Sequence, residues 1–448
     1  MTVTWNAANA AHLLRRAGFG ATAKDVDKAL KAGFEKTLAG LLKPQQGKFK
    51  RPKPVDELGE LQCWWIARML KSKHPLAEKL TLFWHNHFAT SIAKVESPDL
   101  MVLHVGTLQQ HALGKFQDLL LAVSRDPAML VWLDNRSNFA GAINENYARE
   151  LQELFTTGVL DKDGQPNYTE LDVVEVARAF TGWTLFEHHF AFDASGHDFG
   201  TKTVKGVTGA LDGTDVLAIL AADPSTARRI PQKLWSFFAY PVALDDPLCD
   251  ELAAVYVASD GRIRTILEHI FRHDAFYSDT AQRALVKSPV EFLVAALRLL
   301  GATLHGGYPS EIGDVLTELG QALFAPPSVF GWKEGDQWVG TSGLLARNTR
   351  GEWIADARGK NHPVKYAPSK LLGKTKEWAA LDAPAVVARV LAALDTEASP
   401  STVAALTAYL QADDAGQPQP LVVDADFVDG KLRGLISLVL GTPEFQLA

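Results

Sequence analysis

Apolar residues recur every third and fourth position along most of the chain, the spacing that turns one stripe of an α-helix into a core. The first such segment runs from Ala7 to Arg16 and stops before Gly18. Thr22 then stands where an N-cap belongs, ahead of a second helix through Asp25, Val26, Ala29 and Leu30. The pattern continues over Asp56 to Met69, Leu76 to Phe88, Gly106 to Val123 and Ala128 to Leu133, with Asp126-Pro127 breaking the last two apart. Thr169 with Asp172 forms a capping box in its Asp form, Val173, Val176, Ala177 and Phe180 make the stripe, and Gly182 stops the helix. Further helices are predicted over 215–222, 226–238, 247–259, 263–271 and 289–300, and within 385–410 and 430–440.

Three stretches depart from this period. Residues 43–55 hold three prolines and five basic residues and read as an exposed connector. From His188 to Gly213 the residues alternate around Phe190 and Phe192 and then turn to Gly, Asp, Thr and Val, which suggests short strands. Residues 320–345, with Pro326-Pro327 and Gly331-Trp332, read as an irregular loop returning to helix near Ser342. The expected fold is mainly α, a multi-helical array with a short β-hairpin-like insert around residues 188–213. No internal repeat supports a solenoid.

Composition narrows the function classes. The 448 residues, 47% of them hydrophobic, suffice for a large core. Lys plus Arg number 45 against 52 Asp plus Glu, a net charge of −7 without a long basic block, which argues against a nucleic-acid partner. Cys63 and Cys249 sit in no metal-type pair and cannot build a disulfide framework. No apolar run has transmembrane length. The amino terminus lacks a basic start followed by an apolar run, so a cytoplasmic location is expected for the chain as it stands, with export only if a signal has been removed.

Residues 144–158, Asn-Glu-Asn-Tyr-Ala-Arg-Glu-Leu-Gln-Glu-Leu-Phe-Thr-Thr-Gly, concentrate ionisable and amide side chains in one predicted helix. At 3.6 residues per turn Tyr147, Leu151, Leu154 and Phe155 face the core and Gly158 stops the helix. Asn146, Glu150 and Glu153 share a flank, with Arg149 beside Glu153. Such a cluster is either a solvated face of weak ion pairs or one wall of a cleft.

Two histidine segments are the other candidates. In Trp84-His85-Asn86-His87-Phe88, the spacing of Leu80, Trp84 and Phe88 predicts a helix, on which residues two apart diverge by about 200°. His85 and His87 could share a metal ion only where that helix unwinds; otherwise His87 is a buried histidine bonded to a carboxylate. His197-Asp198 lies in the non-helical insert, where a histidine beside an acid could act as base, with Lys202 four positions on to hold substrate; the alternative is a turn capped by Asp198. Trp183 and Trp332 are among eleven tryptophans, and an indole suits either a sugar platform or a core. No Gly-x-Ser-x-Gly elbow, phosphate loop or dinucleotide fingerprint is present.

An ordered set of motifs resembles the bacterial domain-of-unknown-function family 1800. They are His12-Leu13-Leu14-Arg15-Arg16-Ala17-Gly18-Phe19-Gly20, Phe83 through Phe88, Asn144 through Gly158, Tyr168-Thr169-Glu170, Ala177 through Trp183, His197-Asp198, Lys287-Ser288-Pro289, and Pro326-Pro327 with Gly331-Trp332. They span residues 12 to about 350, implying a family core over 1–350 and a helical carboxy-terminal extension, 351–448, packed on it. The resemblance supplies no catalytic residues. Members often stand beside an exported relative of the alkaline phosphatase and sulfatase group, which implies a possible protein partner of that kind, and many begin with an export signal that this chain does not show.

The expectation from these features is a hydrolase-like enzyme acting on a carbohydrate or other polymer. Glu150, Glu153, His197 and Asp198 would form its acid/base centre, and Asn146, Arg149, Trp183, Lys202 and Trp332 would hold substrate. No cofactor is expected, although a divalent metal held by His85, His87 and His197 is one alternative. The other is a non-catalytic partner or maturation factor for the phosphatase-like neighbour.

Overall fold

Caps decide where the helices begin. The computed structural model of the chain describes residues 3–45, 55, 57–413 and 415–448. Thr22 and Asp25 cap Ala23–Ala32 reciprocally, Thr169 and Asp172 do the same for Glu170–Ala179, and Asp126 caps Pro127–Trp132. Helices make up 59% of the described residues, whose strands form only two-stranded pairs, so the fold is mainly α. The stripe predicted over 106–123 belongs to two helices, Pro98–His111 and Phe116–Ser124. Gly114 lies between them and donates its N–H to the His111 carbonyl. Likewise 385–410 divides into Ala383–Ala393 and Pro400–Leu410. The connector over 43–55 falls largely on residues 46–54, outside the described residues.

The non-helical insert begins earlier than its sequence pattern. Trp183–Phe186 pairs antiparallel with His189–Phe192 through a turn in which Glu187 and His188 both have positive φ, the conformation that matches strand twist. A second hairpin joins Lys202–Val204 to Val207–Gly209 through Lys205 and Gly206.

Two apolar clusters meet at the helix Pro75–His87. One gathers Leu58–Lys71, Pro98–His111, Pro289–Leu299 and Glu311–Leu319, together with Ile354, Val386, Val390, Leu432 and Ile436 from beyond residue 351. The other gathers Phe116–Ser124, Leu151–Phe155, Glu170–Ala179 and Pro224–Phe238. Leu82 of the central helix packs into the first, and Leu80, Phe83 and Trp84 into the second. A helix covered on every side must find partners for its charged groups, and this one does, although the buried Nδ1 of His85 has none. Glu78 meets Arg68, Lys79 meets Glu291 at 2.6 Å, and Thr81 donates to the Ala77 carbonyl. Among the described residues no helix is long and apolar enough to cross a membrane.

Candidate functional site

The segment predicted as one uniform helix changes its winding in the middle. Asn146–Glu150 is α-helical and Leu151–Phe155 is a π-helical turn, a rare form found frequently at functional sites. Its carbonyls are satisfied from outside the ordinary ladder. Thr156 Oγ1 donates to the Leu151 carbonyl at 2.6 Å, and the Gln152 carbonyl accepts from Thr157 Oγ1 and from the Gly158 N–H at 2.9 Å. Arg229 of the helix Pro224–Phe238 donates to the Leu154 carbonyl at 2.7 Å, and His87 Nε2 to that of Phe155 at 3.1 Å. Gly158 ends the turn at φ +81°, and a Cβ there would lie 3.0 Å from Arg229 Nε. Tyr147, Leu151 and Phe155 are buried as expected from a 3.6-residue wheel, but the wider turn also buries Gln152 and leaves Leu154 half-exposed.

Glu150 and Glu153 sit at this turn. Burial raises the Glu150 carboxyl above its ordinary value, the negative charge of Glu153 raises it further, and Arg149 opposes both. Glu150 Oε2 is buried and finds no hydrogen-bond partner among the described residues. Glu153 accepts from the Tyr168 hydroxyl at 3.0 Å, and desolvation together with that carboxylate pushes the phenol up to about 12.

Glu153 also connects the acidic turn electrostatically to Arg229, whose basicity burial reduces. One helical turn on, Lys233 is brought down to about 8 by burial and by the charge of Arg229, with Glu334 opposing. Its Nζ lies 3.1 Å from His87 Nδ1. His87 is held neutral by burial and by the charges of Lys233 and Arg229, so Nε2–H donates to Phe155 and Nδ1 accepts from Lys233. Beside it Asn86 donates to Glu334 at 2.8 Å and accepts from the Trp332 N–H at 2.7 Å. Gly331 permits that approach, since a Cβ would fall 2.2 Å from Asn86 Oδ1. The site thus joins the end of the central helix, the π turn, Tyr168, the Arg229–Lys233 face and the loop carrying Glu334.

A family model described as protein of unknown function (DUF1800) matches residues 12–447. The chain belongs to this family. No curated protein and no solved structure matches it.

In this DUF1800 chain several residues expected at the centre lie elsewhere. His197 and Asp198 sit at the far end of Glu170–Ala179, about 15 Å of helix from the Tyr168 end. No hydrogen bond or ion pair joins them to Glu150 or Glu153 among the described residues. His197 Nδ1 donates to the Thr181 carbonyl at 2.7 Å, and its ring stands between Phe192 and Phe199. Asp198 is gripped by Arg178 at 2.7 and 3.3 Å, which holds its carboxyl below the ordinary range, and it also caps the Gly200 N–H. Lys202 is buried and donates to the Asp198 and Gly200 carbonyls, leaving it no reach toward a ligand. Trp183 is covered by Phe180, Phe190 and Arg125, and Trp332 packs edge-on to His85, so neither indole floors a cleft. Arg149 pairs with Glu145 and, bidentately, with Glu170 in place of Glu153. Asn146 is exposed and donates to Asp134.

The histidines are committed too. His85 Nε2 accepts the Phe324 N–H, which puts its proton on Nδ1, and His87 is bonded at both nitrogens, its partners a carbonyl and an ammonium in place of the expected carboxylate. Among the described residues no group of three or more His, Cys, Asp or Glu is arranged to hold a metal ion. Clefts of about 690 and 520 Å³ lie away from the acidic turn, one beside Gly18, Lys28 and Lys73, the other beside Arg262, Glu268 and His269.

Arg229, Lys233 and Glu334 were not singled out by the sequence motifs, and Tyr168 stood in one of them without an assigned role. A signal for two of them existed. Arg229 and Lys233 are like charges four apart, and no acid stands three or four positions from either on their own helix. Such a pair needs counter-charges from other elements.

Proposed function

We propose that the chain is an acid/base enzyme of hydrolase type acting on a carbohydrate or other polymer, with Glu150 as proton donor and Glu153 as the second carboxylate. The observation that carries this reading is the buried, unpartnered Oε2 of Glu150 beside Glu153. An unpaired buried polar atom costs about 1–3 kcal/mol, and a ligand that supplied the missing partner would recover part of it. A carboxyl whose hold on its proton is raised by burial, next to a second acid, is the arrangement that protonates a leaving oxygen while its neighbour activates water. Arg229 and Lys233 would orient the hydroxyl or anionic groups of the polymer, and Tyr168 would fix Glu153.

The test is turnover of a polysaccharide panel followed by release of new reducing ends, with the parent and Glu150→Gln compared. The parent should cleave at least one polymer and the variant none, at a melting temperature no lower than the parent's at neutral pH. Unaltered turnover in the variant, or its unfolding, would remove Glu150 from the mechanism.

A second reading makes the same end of the molecule a binding surface for a phosphatase- or sulfatase-like protein. Val159 next to Gly158, Leu171 three residues after Tyr168 and Phe330 next to Gly331 are exposed and apolar, which favours it. Substitution of Glu150 would then leave complex formation intact, whereas Leu171→Glu would abolish it.

A further inference from the structure

Four lysines of the described residues are held below ordinary basicity by burial: Lys79, Lys202, Lys233 and Lys287. Three of them are fully engaged. Lys79 pairs with Glu291 and donates to the Arg15 and Gly18 carbonyls, Lys202 donates to the Asp198 and Gly200 carbonyls, and Lys287 to those of Phe445 and Leu447. Lys233 is different. Among the described residues its one hydrogen bond runs to the lone pair of His87 Nδ1, it makes no ion pair, and the residue is half-buried. The charged groups facing it are Arg229 on its own helix, His87 on the central helix, which is neutral, and Glu334 on the loop.

We infer that Lys233 is a nucleophilic amine that captures an aldehyde or ketone as an imine. A lysine desolvated beside another cation and lacking a carboxylate partner is the recurring setting for such chemistry. The Nζ lone pair attacks the carbonyl carbon and the C–O π electrons pass to oxygen. Two protons leave nitrogen, the oxygen departs as water, and one C=N bond replaces one C=O bond. His87 acts here as a positioning residue, because its acceptor nitrogen aims Nζ and cannot compete as a counter-ion. This inference goes beyond the acid/base reading and does not depend on it.

The experiment uses the intact protein with glyoxylate and sodium cyanoborohydride, the hydride source that traps the imine as a secondary amine, followed by peptide mapping. Lys233 should be modified roughly ten- to a hundred-fold faster than the exposed lysines near neutral pH, the ratio set by its larger neutral fraction, and the advantage should shrink as pH rises toward 10. Glu334→Gln should accelerate the labelling by removing the charge that favours the ammonium. Glu150→Gln should label as fast as the parent, so a failure of the acid/base reading leaves this result standing. Labelling of Lys233 no faster than of exposed lysines such as Lys28 would overturn the inference.

Discussion

The helix Glu170–Ala179 has a candidate centre at each end, and the two ends differ in how their polar atoms are used. At the carboxy-terminal end Arg178 joins Glu175 and Asp198, Lys202 is spent on two carbonyls, and His197 donates to a third. At the other end Glu150 has an oxygen with no partner, and Lys233 has only the nitrogen of a neutral histidine. Both ends are rich in charge, and both look catalytic as strings of letters. Satisfied pairs fasten a hairpin to a helix; groups kept buried and incomplete are where a ligand can supply the missing partner.

The comparison breaks most sharply on turnover. Glu150→Gln should lower the rate on the cleaved polymer by about 10²- to 10⁴-fold, the usual worth of a positioned general acid, while Asp198→Asn should leave the rate per folded molecule unchanged. Equal losses in the two variants would erase the distinction between the ends. Next in size is Gly331→Ala. It places a Cβ against Asn86 at a residue with φ +82°, and should cost about 2–4 kcal/mol in urea denaturation by forcing the Glu334 loop off the central helix. A cost near zero would show that the loop is not seated as described. Asp198→Asn should cost less, about 1–2 kcal/mol, since its ion pair is partly open to solvent and screened.

Much of the fold was legible. The cap at Thr22, the reciprocal cap at Thr169, the break at Asp126-Pro127 and the change of texture near residue 188 each follow from local chemistry that tertiary packing did not overrule. Glu150 and Glu153 were legible as well, as acids crowded onto one segment. The π turn was not, because a helical wheel assumes 3.6 residues per turn throughout. Its one trace is Thr156-Thr157, whose hydroxyls reach carbonyls five residues back. The His197–Glu150 convergence failed for a related reason: nearness along the sequence to one helix says nothing about which end is reached. Lys233 meets His87 across 146 residues, a contact that no local pattern encodes.

The ends also differ in the sign of their response to pH. Glu150 has a folded-state value above the ordinary 4.5, so the folded chain holds the extra proton and loses stability as pH rises through that window. Asp198 has a value below the ordinary 3.8, so its contribution is present above that point and disappears as pH falls through the lowered value. The most direct measurement is therefore the unfolding free energy of the parent against Glu150→Gln, from mildly acidic to neutral pH. An uncompensated carboxylate predicts near-equality in acid and a variant that becomes the more stable protein as pH rises. A parent that is the more stable at neutral pH would mean that Glu150 is already paired in the folded chain, and would contradict the account.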